Sequence, residues 1–311
     1  MEKSSCELLW QLYSDVSEVE ELRSTIITNC VFNSFLSYTA ITLNTVTIHA
    51  IRKTSSLPKT LKTLLLSLAV SDVGVGLSVQ LFYISLLVKW AQENNPGCNT
   101  YKAFFLVTRL FSMASFFGVV AVSVDRFLAI HLHLRYQELV TYKRVVAVVI
   151  SIWQMSAFLS LMTLWVSFDI RNLVSVLLGV VGLLLTTLVY IRIYIVVRRH
   201  KNEIQVLQEQ QAAQTGEMAN FSRLIKSAVS VFYVYLVYLV CYLPFMISLK
   251  GPEIFGPSVA LKKFLLVSFT LVFVNSSLNP VIYCWKMRHI RHAVIKILRN
   301  MSWLRNCESL N

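Results

Sequence analysis

Phe273 to Trp285 reads FVNSSLNPVIYCW, and it follows the apolar run FLLVSFTLV, 264–272, without a break. The joined stretch is long enough to cross a bilayer as one helix, which takes about 20 residues. Yet it carries Asn275, Ser276, Ser277, Asn279 and Pro280. Asn275, Ser276 and Asn279 fall at i, i+1 and i+4, so they share one sector of that helix. Polar groups at hydrocarbon depth are costly unless they face other helices or a wet cavity. A proline there removes a backbone hydrogen bond, and neighbouring helices or water must satisfy what it frees. The stretch therefore reads as an inward-facing helix of a membrane bundle.

The rest of the chain agrees. Of 311 residues, 56% are hydrophobic and 14% charged, where a soluble domain carries about 25% charged. Mean hydropathy is +0.61. The apolar residues cluster into seven runs, at about 26–51, 61–88, 101–130, 145–166, 173–197, 225–249 and 264–284. Alternating strands of about ten residues, the mark of a barrel, are not seen. The expected architecture is an all-α, seven-transmembrane helix bundle with a short amphipathic eighth helix. With the N-terminus outside, twenty Lys and Arg fall on the inner side, eight outside, and Arg109 within a span. This positive-inside bias places the C-terminus in the cytosol. The net charge of +13 is then a topology signal, and nucleic acid is not an expected partner. No signal peptide is read at the start, so the first span is expected to direct insertion.

The implied organisation is an extracellular tail, 1–25, a bundle, 26–284, an inner-leaflet helix, 285–299, and a cytosolic tail, 300–311. Residues 198–223, rich in Gln, Glu and Ala, are expected to prolong the flanking helices. The connection from Ser167 to Asn172 is very short. In 285–299, Ile290, Ala293, Val294, Ile297 and Leu298 recur at helical spacing among basic residues, as in a helix lying on a membrane surface. Cys307 beyond it is a candidate for palmitoylation, or a plain free thiol. Pro244 and Pro280 lie within spans; Pro58, Pro96, Pro252 and Pro257 are assigned to loops. His131 and His133 read as a solvated pair rather than a metal site, and no Cys/His spacing resembles zinc.

Few ionisable groups lie inside the spans: Asp72 in span two, Arg109 near the outer third of span three, and Asp125 with Arg126 at its inner end. Asn44 adds an amide in span one. Ser115 lies eleven residues, about 16 Å, above Arg126. Asp72, Ser115, Asn275 and Asn279 can form a hydrated cage suited to Na⁺, a hard cation that prefers oxygen ligands. Periodicity alone favours the other reading, in which the same groups are hydrogen-bond glue between helices without an ion.

These residues resemble the rhodopsin-like (class A) G-protein-coupled receptors over all seven spans and the surface helix. The resemblance is carried by Asn44 in TLNTV, SLAVSD ending at Asp72, VDRFLAI around Arg126, Trp153, Tyr190, CYLP with Pro244, and NPVIY from Asn279 to Tyr283. It implies a cell-membrane receptor that relays an extracellular ligand to a heterotrimeric G protein, with arrestin and a receptor kinase as further partners. The implied switch comprises Asp125, Arg126, Tyr190, Tyr242, Pro244, Asn279, Pro280 and Tyr283. Tyr190 and Tyr283 are expected to approach through water as span six swings outward, freeing Arg126. Asp72, Ser115, Asn275, Ser276 and Asn279 match the family's Na⁺ pocket, the one cofactor-like ion implied. The implied ligand pocket is Phe82, Phe105, Thr108, Arg109, Ser112, Phe245 and Phe269.

Departures from the family pattern carry expectations of their own. Tyr101 stands where a Cys is usual, Cys98 comes three residues early, and the second outer loop has no Cys. Cys98 is left to pair with Cys6 or Cys30, or to stay free. Tyr242 replaces the usual Trp of span six, and Phe127 gives DRF for DRY. Leu224 stands where many members have an acid, so Arg126 relies on Asp125 and appreciable basal signalling is expected. A tiny second outer loop and a span five without proline resemble the melanocortin, lysophospholipid, cannabinoid and adenosine group, and within it the melanocortin-like branch most, although the extracellular cysteines of that branch are not reproduced. Phe273 excludes a retinal Schiff base, and Thr108 offers a cationic amine no counter-ion. Arg109 facing inward suits an anionic or carbonyl-bearing ligand; facing a neighbouring helix, it is a structural charge. Open outer loops leave room for a peptide. The competing class is a non-signalling multi-pass protein, such as a small transporter or channel subunit. No nucleophile–base pair, HExxH helix or phosphate loop suggests an enzyme.

Overall fold

The computed structural model describes residues 16–208 and 215–308, except Ser56, Glu93, Asn95, His133, Leu134 and Pro257. Among the described residues there is helix and no strand, and seven helices are long and apolar enough to cross a membrane. They lie within Val16–Lys53, Lys59–Ala91, Cys98–His131, Tyr142–Leu161, Phe168–Gln208, Thr215–Phe255 and Val259–Lys286. A one-turn helix, Tyr136–Leu139, sits between spans three and four, and Arg288–Glu308 follows span seven.

A backbone in hydrocarbon must bond to itself, which is why every crossing is a continuous helix. Span hydroxyls follow the same logic by turning back on the preceding turn. Ser34 donates to the Cys30 carbonyl at 2.8 Å, and Thr187 to that of Leu183 at 2.8 Å. Ser258 caps span seven by accepting from the Leu261 N–H at 3.3 Å. Gly256, at φ 78°, supplies the left-handed residue that ends the sixth helix after Phe255.

Several boundaries differ from the sequence reading. The first helix begins at Val16, ten residues before the expected span. The sixth runs on through Gly251 and Pro252 to Phe255, so Pro252 is helical rather than in a loop. The helices of spans five and six run to Gln208 and from Thr215, as the composition of 198–223 predicts. Span two contains a π-helical turn, Val75–Gln80, just past Asp72. The last helix extends to Glu308, with Ile290 fully buried against the bundle. The side chain of Cys307 lies outside the described residues.

Two apolar clusters fill the interior. One, towards the end holding Arg126, includes Leu65, Val122, Tyr190, Val231, Ile282 and Tyr283. The other, towards the N-terminal face, includes Ile26, Val79, Tyr83, Phe104, Phe269 and Phe273. Asp72 lies between Leu68 and Val75 on span two, and Asn275 to Asn279 lie between Phe273 and Ile282 on span seven. A polar layer therefore separates the clusters.

Candidate functional site: a polar cage between two switch ends

The layer is built by spans one, two, three and seven. Asn279 donates from Nδ2 to Asp72 Oδ2 at 2.8 Å, with both residues fully buried. Asn44 donates from Nδ2 to the carbonyls of Ala40 and Ser276, each at 2.9 Å, tying span one to span seven. Trp153 pins span four to span two through Ser67 at 3.0 Å. Asp72 Oδ1, Ser115 Oγ, Asn275 Oδ1 and Asn279 Oδ1, on spans two, three and seven, are buried and make no hydrogen bond among the described residues. Four buried oxygens without donors, one on a carboxylate, are an unusual set. The chemistry of this donor set, hard oxygens with one carboxylate among them, fits a monovalent hard cation such as Na⁺. Ser276 lies beside the same carboxylate.

Below the cage, Asp125 holds Arg126. The guanidinium donates from Nε at 3.0 Å, and Nη2 forms an ion pair with the same oxygen, Asp125 Oδ2. Arg126 is 2% exposed. From span six it meets no carboxylate among the described residues, only Ser227 Oγ at 3.5 Å. Asp125 has a second partner that sequence reasoning missed. Tyr136 donates to its Oδ1 at 2.6 Å and accepts from Thr60 at 3.0 Å. Burial, then the Asp125 charge, pushes the Tyr136 phenol up to about 12, so it remains a neutral donor at neutral pH. Tyr190 bonds Ser123 of span three at 3.1 Å and stacks on Tyr235 of span six. The Tyr283 hydroxyl is buried and makes no hydrogen bond among the described residues.

Above the cage lies a cavity lined by Phe105, Thr108, Arg109, Ser112, Tyr242, Phe245 and Phe269. Tyr242 stacks on Tyr238 with ring centroids 4.1 Å apart and faces Ser112. Phe82, expected in this wall, is not part of it; its ring stands edge-on to Phe104 at 5.9 Å. The π turn accounts for the difference. It adds a residue to one turn, so the outer half of span two is rotated from the α-helical register by about 100°. Tyr83 is the residue turned fully inward.

Arg109 combines the two placements raised for it. It lines the cavity, and it donates from Nη2 to Ser175 Oγ at 2.7 Å and to the Arg171 carbonyl at 3.4 Å on span five. No carboxylate pairs with it among the described residues. A second cation, Arg171, lines the same cavity and donates to the Thr163 carbonyl at 3.1 Å. The sequence places it in the short connection from Ser167 to Asn172. The fifth helix begins at Phe168, so Arg171 falls in its first turn and is 5% exposed.

At the N-terminal face, Cys98 is disulfide-bonded, while Cys30 is free. This removes two of the three expectations for Cys98, and Cys6 lies outside the described residues. Tyr101, in the usual cysteine position, accepts a 2.8 Å bond from Trp90 Nε1.

Comparison with known proteins gives the same picture. The family profile described as "7 transmembrane receptor (rhodopsin family)" matches residues 43–283. The chain is 25% identical to adenosine receptor A2b of Mus musculus, over 83% of this chain and 86% of that protein. It is 25% identical to adenosine receptor A2b of Gallus gallus, over 87% and 88%. It is 26% identical to histamine H2 receptor of Canis lupus familiaris, over 76% and 69%.

Proposed function

The chain belongs to the rhodopsin family of seven-transmembrane receptors, and from that premise we propose its orientation, its ligand class and its switch. It is a G-protein-coupled receptor and a multi-pass membrane protein. The N-terminus faces outward: the excess of Lys and Arg on the Arg126 side supports that orientation.

The ligand enters the cavity above Tyr242. The observation that carries the ligand class is Arg109, a half-buried guanidinium with only neutral partners among the described residues and with the buried Arg171 close by. A half-buried cation facing a cavity, with no acid beside it, favours an anionic or carbonyl-bearing group there. Phe105, Phe245 and Phe269 supply an apolar, aromatic wall for the rest of the molecule. The enclosed volume is about 150 Å³. Drug-sized sites run from roughly 300 Å³ upwards, so a compact molecule fits this depth and a folded peptide does not. A protonated amine such as histamine, named for one relative, would meet two arginines and Thr108 rather than an acid. Adenosine, named for others, is neutral and offers acceptors to Arg109.

Na⁺ held by Asp72, Ser115, Asn275, Ser276 and Asn279 would neutralise the buried carboxylate and bridge spans two, three and seven. The orphaned oxygens support it. Binding of a ligand near Tyr242 biases spans six and seven; release of Arg126 from Asp125 then opens the G-protein surface. Arrestin and a receptor kinase would act on the same cytosolic face, and Cys307 would anchor the final helix if acylated.

The test is nucleotide exchange in cells expressing the receptor, challenged with small carboxylates and lysophospholipids, nucleosides and melanocortin-like peptides. Arg126→Ala should flatten every response at equal surface expression. Arg109→Gln should weaken an anionic agonist about tenfold or more, the value of one charge-assisted hydrogen bond. An agonist indifferent to Arg109→Gln overturns the ligand class. Exchange that survives Arg126→Ala overturns the switch.

A further inference from the structure

A second groove lies at the cytosolic ends of spans three and five, apart from the receptor machinery described above. It encloses about 570 Å³. One wall is Arg192, Ile195, Val196 and Arg199 of span five. These fall at i, i+3, i+4 and i+7, so they share one helix face, with the two arginine backbone positions about 10 Å apart along the axis and aliphatic carbon between. The facing wall is span three: Phe127, Ile130 and His131. The Phe127 and His131 rings stack at 5.2 Å, so this wall is a flat aromatic surface with one ring N–H donor at its edge.

Both arginines are exposed, and neither makes a hydrogen bond or ion pair among the described residues. The apolar part of span five ends at Arg199, and Ile130 lies one turn beyond Arg126. With the orientation proposed above, the groove stands at the boundary between the hydrocarbon and the headgroups of the inner leaflet. An arginine at the end of a span commonly snorkels to that boundary with no partner but water and lipid. Snorkelling alone needs no concave wall. Here two arginines on one face flank an aliphatic floor, and another helix closes the far side.

We infer that this groove is a binding site for an anionic phospholipid of the inner leaflet. The phosphate sits between Arg192 and Arg199, and the acyl carbons run over Ile195 and Val196 against Phe127. Basic pockets between helices on the cytosolic side take such headgroups, and the planar guanidinium suits phosphate oxygens. A lipid there bridges spans three and five beside Arg126, so it couples leaflet composition to the switch.

The experiment uses the full-length receptor in nanodiscs of phosphatidylcholine doped with phosphatidylserine, read by native mass spectrometry of retained lipid. Arg192→Gln with Arg199→Gln should weaken phosphatidylserine retention about thirtyfold, at roughly fivefold per arginine. Arg288→Gln with Lys296→Gln, which removes two exposed charges from the C-terminal helix, should leave that retention within about threefold. Ile195→Asp, a test from the apolar side, should also expel the lipid. Equal losses in the two double variants mean diffuse attraction and overturn the proposal. So does displacement of phosphatidylserine by inorganic phosphate at millimolar concentration, which would mark a soluble-anion site. Retention unchanged in both Arg192→Gln/Arg199→Gln and Ile195→Asp overturns it outright.

Discussion

Spans five and seven are both apolar enough to cross a membrane, but they are used in opposite ways. The most apolar window of span five has a mean hydropathy of 2.4 and is 22% buried; that of span seven has 1.7 and is 72% buried. The less hydrophobic helix is the more buried one, the reverse of the rule in water. Lipid tails offer no reason to hide Leu177, Leu184 or Leu188, which stay exposed on span five. Helices associate in lipid through close packing and hydrogen bonds, and span seven is rich in groups that make them. Asn279 to Asp72, Ser276 to Asn44 and Thr270 to Asn33 are all contacts of that helix. Span five is in effect a wall against lipid, and span seven a seam.

The comparison can be broken most directly at Asn279. Asn279→Leu removes the donor to a fully buried carboxylate and should cost about 2–3 kcal/mol, where Leu188→Ala on the lipid side should cost less than about 0.5. Thermal unfolding in one detergent measures both; equal costs would end the distinction.

Two glycines on span five sharpen it. A Cβ at Gly182 would lie 2.3 Å from the Phe116 ring, while one at Gly179 meets nothing within 4 Å. Phe116 is itself packed against Tyr238, ring centroids 5.5 Å apart, and cannot yield freely. Gly182→Ala should destabilise by about 1–3 kcal/mol. Gly179→Ala should be neutral, or stabilising by up to about 1 kcal/mol through helix propensity.

Sodium gives the next measurement. If the cage binds Na⁺, adding salt with Na⁺ in place of a bulky organic cation should raise the melting temperature. The gain is about 1 kcal/mol at several times the dissociation constant. Asp72→Asn keeps an acceptor for Asn279 but removes the charge, so the sodium effect should vanish while the fold remains. Persistence of the effect in that variant would move the ion elsewhere.

The smallest effect concerns span six, which offers Arg126 no acid among the described residues. Basal nucleotide exchange should exceed that of mock-transfected cells. Ser227→Glu, beside Arg126 Nη1, should lower it about threefold, the scale of one partly exposed ion pair. A baseline equal to mock would show that Asp125 and Tyr136 suffice to hold Arg126.

The seven crossings were legible because each is a run of about 20 or more apolar residues, a signal that local detail hardly disturbs. The polar layer was legible because Asp72, Asn275 and Asn279 are conspicuous against hydrocarbon. What failed depended on local geometry. Phe82 was misplaced because nothing in VGLSVQ, 75–80, announces a π turn. Arg171 was assigned to a loop because the first turn of its helix, FDIR from Phe168, is polar enough to look like a connection. Tyr136 was passed over because it joins Asp125 only through the fold of a one-turn helix eleven residues on. In each case the residue was visible, and the direction of its side chain was not.

The sixth helix has a mechanical consequence. It runs unbroken from Thr215 to Phe255, with Pro244 inside it. From Pro244 to Thr215 is 29 residues, about 44 Å of rigid rod. Each degree of bend at the proline therefore sweeps the free tip through about 0.8 Å. A shift too small to be conspicuous beside Tyr242 becomes a gap several ångströms wide at the far end, and the length of the rod sets the gain.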